Sequence, residues 1–265
     1  MIYVASCSFG KDSLAQIILA KIHNEPIDYV LYSEVMYDDK ISGEIPEQRD
    51  FIYNVAIPKL ESWGYKVIIV RADSTFKDNF FKVIKNSKTK ERNGKMRGFP
   101  MSGKCAINRD CKIPPIQRWY KEHGHEEVTQ YVGIAIDEPK RLKKLEGTNK
   151  VSLLAKYGYT EQMAKELCIE YGLLSPIYSF TNRGGCFFCP NCNDKELRHL
   201  RTHHRELFDD LLELEKTEGI VGKNFKAYQE TSLKEIDERF YWEEQQIDIF
   251  AAFPGCIPDS MKDRR

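Results

Sequence analysis

The segment Ile2-Tyr3-Val4-Ala5-Ser6-Cys7-Ser8-Phe9-Gly10-Lys11-Asp12-Ser13 reads as a short, β-prone apolar strand that empties into a loop of small residues. Leu14, Ile17, Ile18 and Ile22 follow it at helical spacing. A strand–loop–helix junction of this kind is an anion site. The N–H groups of a first helical turn have no partner inside the helix, and the helix dipole favours negative charge there. Gly10 lets the main chain approach a ligand closely, Ser8 and Ser13 add hydroxyl donors, and Lys11 adds positive charge. The pattern is not a Walker A loop, which needs a Gly, four residues and then Gly-Lys-Ser/Thr.

Working outward, the first half of the chain alternates strand and helix. Strands are expected near 2–7, 29–35, 66–72 and 130–136. Helices are expected near 12–23, 47–63 (bent at Pro58) and 114–123. Apolar strands alternating with helices predict an α/β fold, a Rossmann-like parallel sheet with helices on both faces. Ligands of such sheets bind beyond the carboxyl ends of the strands. The second half predicts helices near 160–171, 194–216 (with Asp194 as N-cap) and 231–248. The expected organisation is a nucleotide-binding domain over 1–150 and a mostly helical region over 151–265, with a soft boundary.

The 265 residues carry no net charge, are 42% apolar, and have a mean hydropathy of −0.52. No stretch approaches the ~20 apolar residues of a membrane span, so a membrane partner is not expected. The chain opens directly on a strand, without the pattern of a leader, so a cytoplasmic location is expected. There, eight cysteines point to thiols or metal ligands rather than disulfides. Residues 82–104 hold eight Lys or Arg and one Glu, together with Gly94, Gly98, Pro100 and Gly103. They read as a mobile basic loop suited to nucleic acid or a phosphorylated acceptor, or as a solvated lid with no partner.

A second constellation lies at Gly184-Gly185-Cys186-Phe187-Phe188-Cys189-Pro190-Asn191-Cys192, where the two-residue spacing between cysteines occurs twice. Upstream, Cys105 and Cys111 are separated by five residues. A Gly-rich turn aims two such sulfurs at one ion. Zinc and a [4Fe–4S] cluster both accept four thiolates, and the spacing suits either. The preferred ligands are Cys105, Cys111, Cys186 and Cys189, with Cys192 as the substitute. Cys168 and Cys7 read as buried core thiols. Cys256 stands in a loop near the end of the chain.

The hexapeptide Ser8–Ser13 resembles the Ser-Gly-Gly-x-Asp-Ser loop of the PP-loop ATP pyrophosphatases, with Phe9 in place of the first Gly. Gly133-Ile134-Ala135-Ile136-Asp137-Glu138-Pro139-Lys140-Arg141 resembles the Gly-Ile-x-x-Asp-Glu-x-x-Arg signature of the phosphoadenosine phosphosulfate (PAPS) reductase-like family within that group. Ser42–Glu47 is similar to the loop after their second strand, and Arg183–Asn191 to their C-terminal cysteine element. The match covers roughly residues 1–215 and is nearest to bacterial and phage-associated members.

This resemblance implies an adenine nucleotide α-hydrolase-like fold. It implies that ATP or a related adenine nucleotide is held by Ser8, Phe9, Gly10, Lys11, Asp12 and Ser13, with Gly133, Asp137 and Glu138 nearby. Asp12 would also help hold Mg²⁺. Lys11, Asp12 and Arg141 are the candidate catalytic groups, Arg141 as a fork for phosphate or sulfate. The implied reaction is cleavage at the α-phosphate that activates an acceptor, with sulfur transfer as a sequel. Reduction of a sulfonucleotide (PAPS or its unphosphorylated form) is an alternative. Against it, the tail has Cys256 but lacks the Glu-Cys-Gly sequence of true PAPS reductases. A third reading is a metal-stapled nucleotide sensor or partner-binding subunit without activity.

Overall fold

In the computed structural model the described residues are 1–100, 105–123, 127–226 and 230–252, with side chains described as far as residue 245. Cys256, Lys104 and the other residues outside these ranges carry no structural statement. The strands, in chain order, are β1 (Ile2–Ser6), β2 (Tyr29–Glu34), β3 (Val67–Arg71), β4 (Met96–Gly98), β5 (Val128–Val132), β6 (Lys150–Val151) and β7 (Ile220–Gly222). Residues cluster into two compact units, Met1–Lys82 with Lys104–Cys189, and Val83–Gly103 with Pro190–Arg265. Residue 150, where the soft boundary was expected, falls on a strand inside the first unit.

The first unit is built on a parallel sheet in the order β3-β2-β1-β5-β6. Val4 of the central strand lies beside Tyr29 on one side and Gln130 on the other. Around the sheet run α1 (Lys11–His23), α2 (Pro46–Phe51), α3 (Ile57–Ser62), α4 (Phe76–Phe81), α5 (Ile113–Glu122), α6 (Pro139–Leu142), α7 (Leu153–Lys156) and α8 (Glu161–Glu170). Successive strand side chains alternate faces. Accordingly, Ala5, Val30, Tyr32 and Tyr131 pack with Leu14, Ile17 and Ile18 of α1 and with Leu167 and Cys168 of α8. Val4 and Leu31 instead pack with Trp119 of α5, beside Ile68 and Val70. Both faces are therefore covered, as the apolar strands require.

From β1 the chain moves outward to β2 and β3, then returns to the other side of β1 as β5. The carboxyl ends of β1 and β5 thus flank the switch point where such folds hold ligands. The bend foreseen at Pro58 takes the form of a π-helical turn, Ile52–Ala56, between α2 and α3. Pro58 enters at the start of α3, where a ring without an N–H is tolerated. β5 stops at Val132, short of the expected 136. Beyond it, Ile136 N donates to Tyr159 O at 2.9 Å, which takes this residue out of the β1–β5 ladder.

The second unit contains α9 (Asp194–His203), α10 (Arg205–Glu215) and α11 (Leu233–Ala252). The single helix expected over 194–216 breaks at His204, whose backbone (φ −136°, ψ 55°) is not helical. Its N-cap is Asn193 rather than Asp194. Asn193 is extended, its Oδ1 accepts from Glu196 N at 2.9 Å, and Glu196 Oε2 accepts from Asn193 N at 3.2 Å. This reciprocal box satisfies two donors of the helix end. Arg201 ties α9 to α11 through Asp237 (2.6 Å) and Glu244 (2.8 Å). β4 and β7 pair in parallel, Met96 opposite Ile220 and Gly98 opposite Gly222. Residues 83–98, expected as a loop, form a hairpin: Val83 bridges Met96 in antiparallel fashion, and Ile84 N donates to Lys95 O at 2.9 Å. Among the described residues no helix is long and apolar enough to cross a membrane.

Candidate active site

The loop after β1 closes on itself before α1 begins. Ser13 Oγ donates to Gly10 O (2.9 Å) and accepts from Ser8 N (3.2 Å), so Ser13 latches the loop into an arc. Gly10 is the N-cap of α1 and offers no side-chain oxygen to the first turn. The amide of Lys11 donates to the hydroxyl of Tyr178, at 2.9 Å. From below, the Cys168 thiol donates to Lys11 O at 3.2 Å.

Phe9 has φ +55°, a left-handed conformation that glycine adopts freely and a bulky residue rarely does. The resembled motif carries Gly at this position, and the backbone here keeps the glycine conformation although the residue has changed. Burial compensates the strain: Phe9 is fully buried, edge-on to Tyr32 with centroids 5.0 Å apart, and its carbonyl accepts from Gln48 Nε2 at 3.1 Å. Phe9 therefore shapes the loop from the core side.

Gly133, directly after β5, meets the first turn of α1. A Cβ there would stand 2.7 Å from the backbone of Asp12 and Ser13. Only glycine permits this approach, which makes the position a packing requirement of the loop.

These elements border a cavity of about 350 Å³, lined by Ser8, Gly10, Lys11, Asp12, Ser13, Glu44, Lys112, Gly133, Arg141, Glu161, Tyr178, Asn182, Arg183, Gly184 and Gly185. The volume falls in the range of small-molecule sites. Four cations, Lys11, Lys112, Arg141 and Arg183, face three carboxylates, Asp12, Glu44 and Glu161. Lys11 Nζ lies 2.7 Å from Asp12 Oδ1 and 3.3 Å from Glu161 Oε2. Burial lowers the Lys11 pKa, but its bonds and charge contacts with Asp12 and Glu161 outweigh this and leave it raised. Asp12 is also raised, first by burial and then by the charges of Glu161 and Glu138, against the opposing Lys11. Burial raises the Glu44 carboxyl, which is opposed by Lys112 and by the Tyr32 hydroxyl donating to it at 3.3 Å.

Of the acidic segment after β5, Arg141 reaches the cavity and pairs with Glu138. Glu138 Oε2 also accepts from Ala135 N at 3.2 Å and thereby pins the turn after β5. Asp137 accepts from the amide of Glu161 at 3.2 Å, at the start of α8. Asp137 and Glu138 thus support the cavity wall rather than line it.

The cysteine element joins the same unit through the loop after β2. Glu44 and Cys186 form an antiparallel bridge, and Phe187 N donates to Gly43 O at 3.0 Å. A Cβ on Gly43 would lie 2.8 Å from the Phe188 ring, so this junction also needs glycine. Cys111 is buried, and its sulfur receives Asn79 Nδ2 at 3.1 Å. Burial raises its pKa, with the Ser74 contact opposing. Cys186 is pushed well up by burial and by the charges of Glu44, Cys189 and Cys105, against Lys112. Arg183 Nη1 reaches Cys189 Sγ at 3.6 Å.

Among the described residues no three of the Cys105, Cys111, Cys186 and Cys189 sulfurs lie within 4.8 Å of one another. The chemistry of the set fits a soft cation. Four thiols share one unit, and two sulfurs accept hydrogen bonds from Asn79 and Arg183. Cys192 belongs to the second unit, where it is buried and its carbonyl accepts from Lys226 Nζ at 2.6 Å.

Sequence reasoning did not assign Glu44, Lys112, Glu161, Tyr178, Asn182 or Arg183 to the cavity. Glu44 and Arg183 lie inside segments that carry the family resemblance, and that was their only signal. No family model and no curated protein matches the chain. Among solved structures it is similar to the U34-tRNA thiolase NcsA from Methanococcus maripaludis with its [4Fe-4S] cluster, at 16% identity and a TM-score of 0.40, over 82% of this chain and 73% of that chain.

Proposed function

We propose that this chain is a PP-loop-type enzyme that binds ATP or a related adenine nucleotide and cleaves it at the α-phosphate to activate an acceptor for sulfur transfer. One observation carries the reading: a single cavity is bordered both by the latched loop Ser8–Ser13 and by Arg183–Gly185, the residues that lead into Cys186 and Cys189. That shared space supports pairing a phosphate-binding role for the loop with a sulfur role for the cysteine segment.

In the proposed step an acceptor oxygen attacks the α-phosphorus, the bond to the β-phosphate oxygen breaks, and pyrophosphate leaves with the electron pair. The chain contributes positioning and charge neutralisation. The first-turn amides of Asp12 and Ser13, with Ser8 and the Tyr178 hydroxyl that takes the Lys11 amide, would orient the phosphates. Lys11 and Arg141 would offset the charge that grows on the leaving group. Asp12 and Glu161 offer the hard oxygens that Mg²⁺ prefers. A sulfur nucleophile then displaces AMP from the activated acceptor. Cys105, Cys111, Cys186 and Cys189 are the residues that would hold zinc or a [4Fe–4S] cluster, which supplies a structural staple or a sulfur-binding site.

Product identity tests the reading. Incubated with Mg-ATP, candidate acceptors and a sulfur donor, the protein should yield AMP and pyrophosphate, and Lys11→Ala should slow this by ~10²-fold or more. ADP and inorganic phosphate as products would overturn it.

A further inference from the structure

We infer that the hairpin over residues 83–98 is a finger that grips the phosphate backbone of a nucleic acid. The inference concerns the second unit alone and does not depend on the nucleotide site.

Charge comes first. The hairpin carries Lys85, Lys88, Lys90, Arg92, Lys95 and Arg97 against a single acid, Glu91, in a chain whose net charge is zero. Lys85, Lys88, Lys90, Arg92 and Lys95 are all exposed, and among the described residues none of the five is in an ion pair. Elsewhere in the same unit arginines are matched: Arg201 meets Asp237 and Glu244, and Arg239 meets Asp194. Among the described residues, the finger gathers five such unpaired cations into eleven positions.

Its frame is fixed rather than loose. Gly94 N donates to Ile84 O at 2.9 Å, and Gly94 itself has φ +81°, which turns the chain. Ser87 N donates to Asn93 Oδ1 at 2.7 Å, and the tip closes with Arg92 N to Thr89 O at 3.1 Å. At the base, Met96 N donates to Gly219 O at 2.9 Å and seats the finger beside β7. Cations mounted on a built frame lose less backbone entropy on binding than cations on a free loop.

Composition selects the partner. Residues 85–95 read Lys-Asn-Ser-Lys-Thr-Lys-Glu-Arg-Asn-Gly-Lys, without one apolar side chain. A membrane-surface element would bring Trp, Phe or Leu to insert between lipids. Here, apart from Glu91 and Gly94, the residues between the cations are Asn, Ser and Thr, which donate to phosphate oxygens. Five cations spread over eleven residues also exceed what one phosphate monoester neutralises, and they match a ligand with repeated phosphates. Contacts of this kind read no bases, so binding is independent of sequence.

Fluorescence anisotropy with labelled 20-nucleotide RNA and 20-base-pair DNA, each in two unrelated sequences, tests this across 50–300 mM NaCl. The full-length protein should bind both sequences of a given type equally, with a steep loss on adding salt. The variant K85Q/K88Q/K90Q, with its melting temperature checked, should bind at least ~10-fold more weakly at 100 mM salt, and its log–log salt slope should fall by about 3, one per lysine. No binding by the unaltered protein at 50 mM salt would overturn the inference. So would an unchanged affinity and slope in the variant, or binding to vesicles containing phosphatidylserine as tight as to nucleic acid.

Discussion

At the scale of single residues, Tyr178 is the group that most alters how the Ser8–Ser13 loop presents its donors. Its hydroxyl accepts from Lys11 N, so its own proton is left to donate into the cavity that it lines. The hydroxyl therefore relays a helix-end donor outward instead of blocking it. Tyr178→Phe should weaken ATP or pyrophosphate binding by about 10-fold in isothermal titration, the size of one hydrogen bond to a charged group; tighter binding would mean that the hydroxyl is a plug. Asp12 allows a prediction with pH. Its pKa is raised in the folded state, chiefly by burial, so its ionisation opposes folding. The contribution is favourable below the unfolded carboxylate value of about 3.9 and is lost as pH rises through the folded value. Asp12→Asn should accordingly melt higher than the unaltered protein at pH 7, by about 1 °C or more, with the difference closing as pH falls toward 4, while nucleotide cleavage is lost. Asp12 was legible in the sequence because its meaning is local: it sits in a six-residue arc with its helix. Tyr178, Glu161 and Lys112 were not, because they reach the cavity from helical segments more than 90 residues away and carry no pattern of their own.

At the scale of elements, β1, β2, β3 and β5 of the first sheet were readable because each is an apolar run long enough to show its period. β6 has two residues, and β4 and β7 three each; they have no period to show. What makes β4 and β7 possible is a close crossing of two glycines. A Cβ on Gly98 would lie 2.5 Å from Gly222 O, and one on Gly222 would lie 2.3 Å from Phe99 O. Backbone cannot yield as a flexible side chain does, so Gly222→Ala should destabilise the second unit by about 1–3 kcal/mol, read by chemical denaturation followed through circular dichroism. The break at His204 escaped detection for the opposite reason. Leu197, Leu200, Leu207, Leu211 and Leu214 form one apolar stripe, and that periodicity runs on through a residue whose backbone has left the helix. The N-cap at Asn193 was legible in principle. Glu196 three residues on completes a capping box, which outcompetes an isolated Asp194.

At the scale of the molecule, the two strongest sequence signals, far apart in the chain, meet in one unit. The sheet places the Ser8–Ser13 loop at the end of β1. The Glu44–Cys186 bridge then brings the cysteine segment to the same cavity. Arg183 belongs to both: it lines the cavity, and its Nη1 lies 3.6 Å from Cys189 Sγ. A phosphate entering the cavity competes for the same guanidinium as a doubly hydrogen-bonded partner, and it also narrows access from that side. Saturating ATP should therefore slow the alkylation of Cys189 by iodoacetamide at least ~3-fold in reduced, chelator-treated protein, while Cys168, fully buried beneath α1, stays unlabelled with or without nucleotide. Peptide mass spectrometry over a time course reads both sites in one sample. Equal Cys189 rates with and without ATP, under conditions where ATP binding is measured directly, would show that the guanidinium does not link the two halves of the cavity.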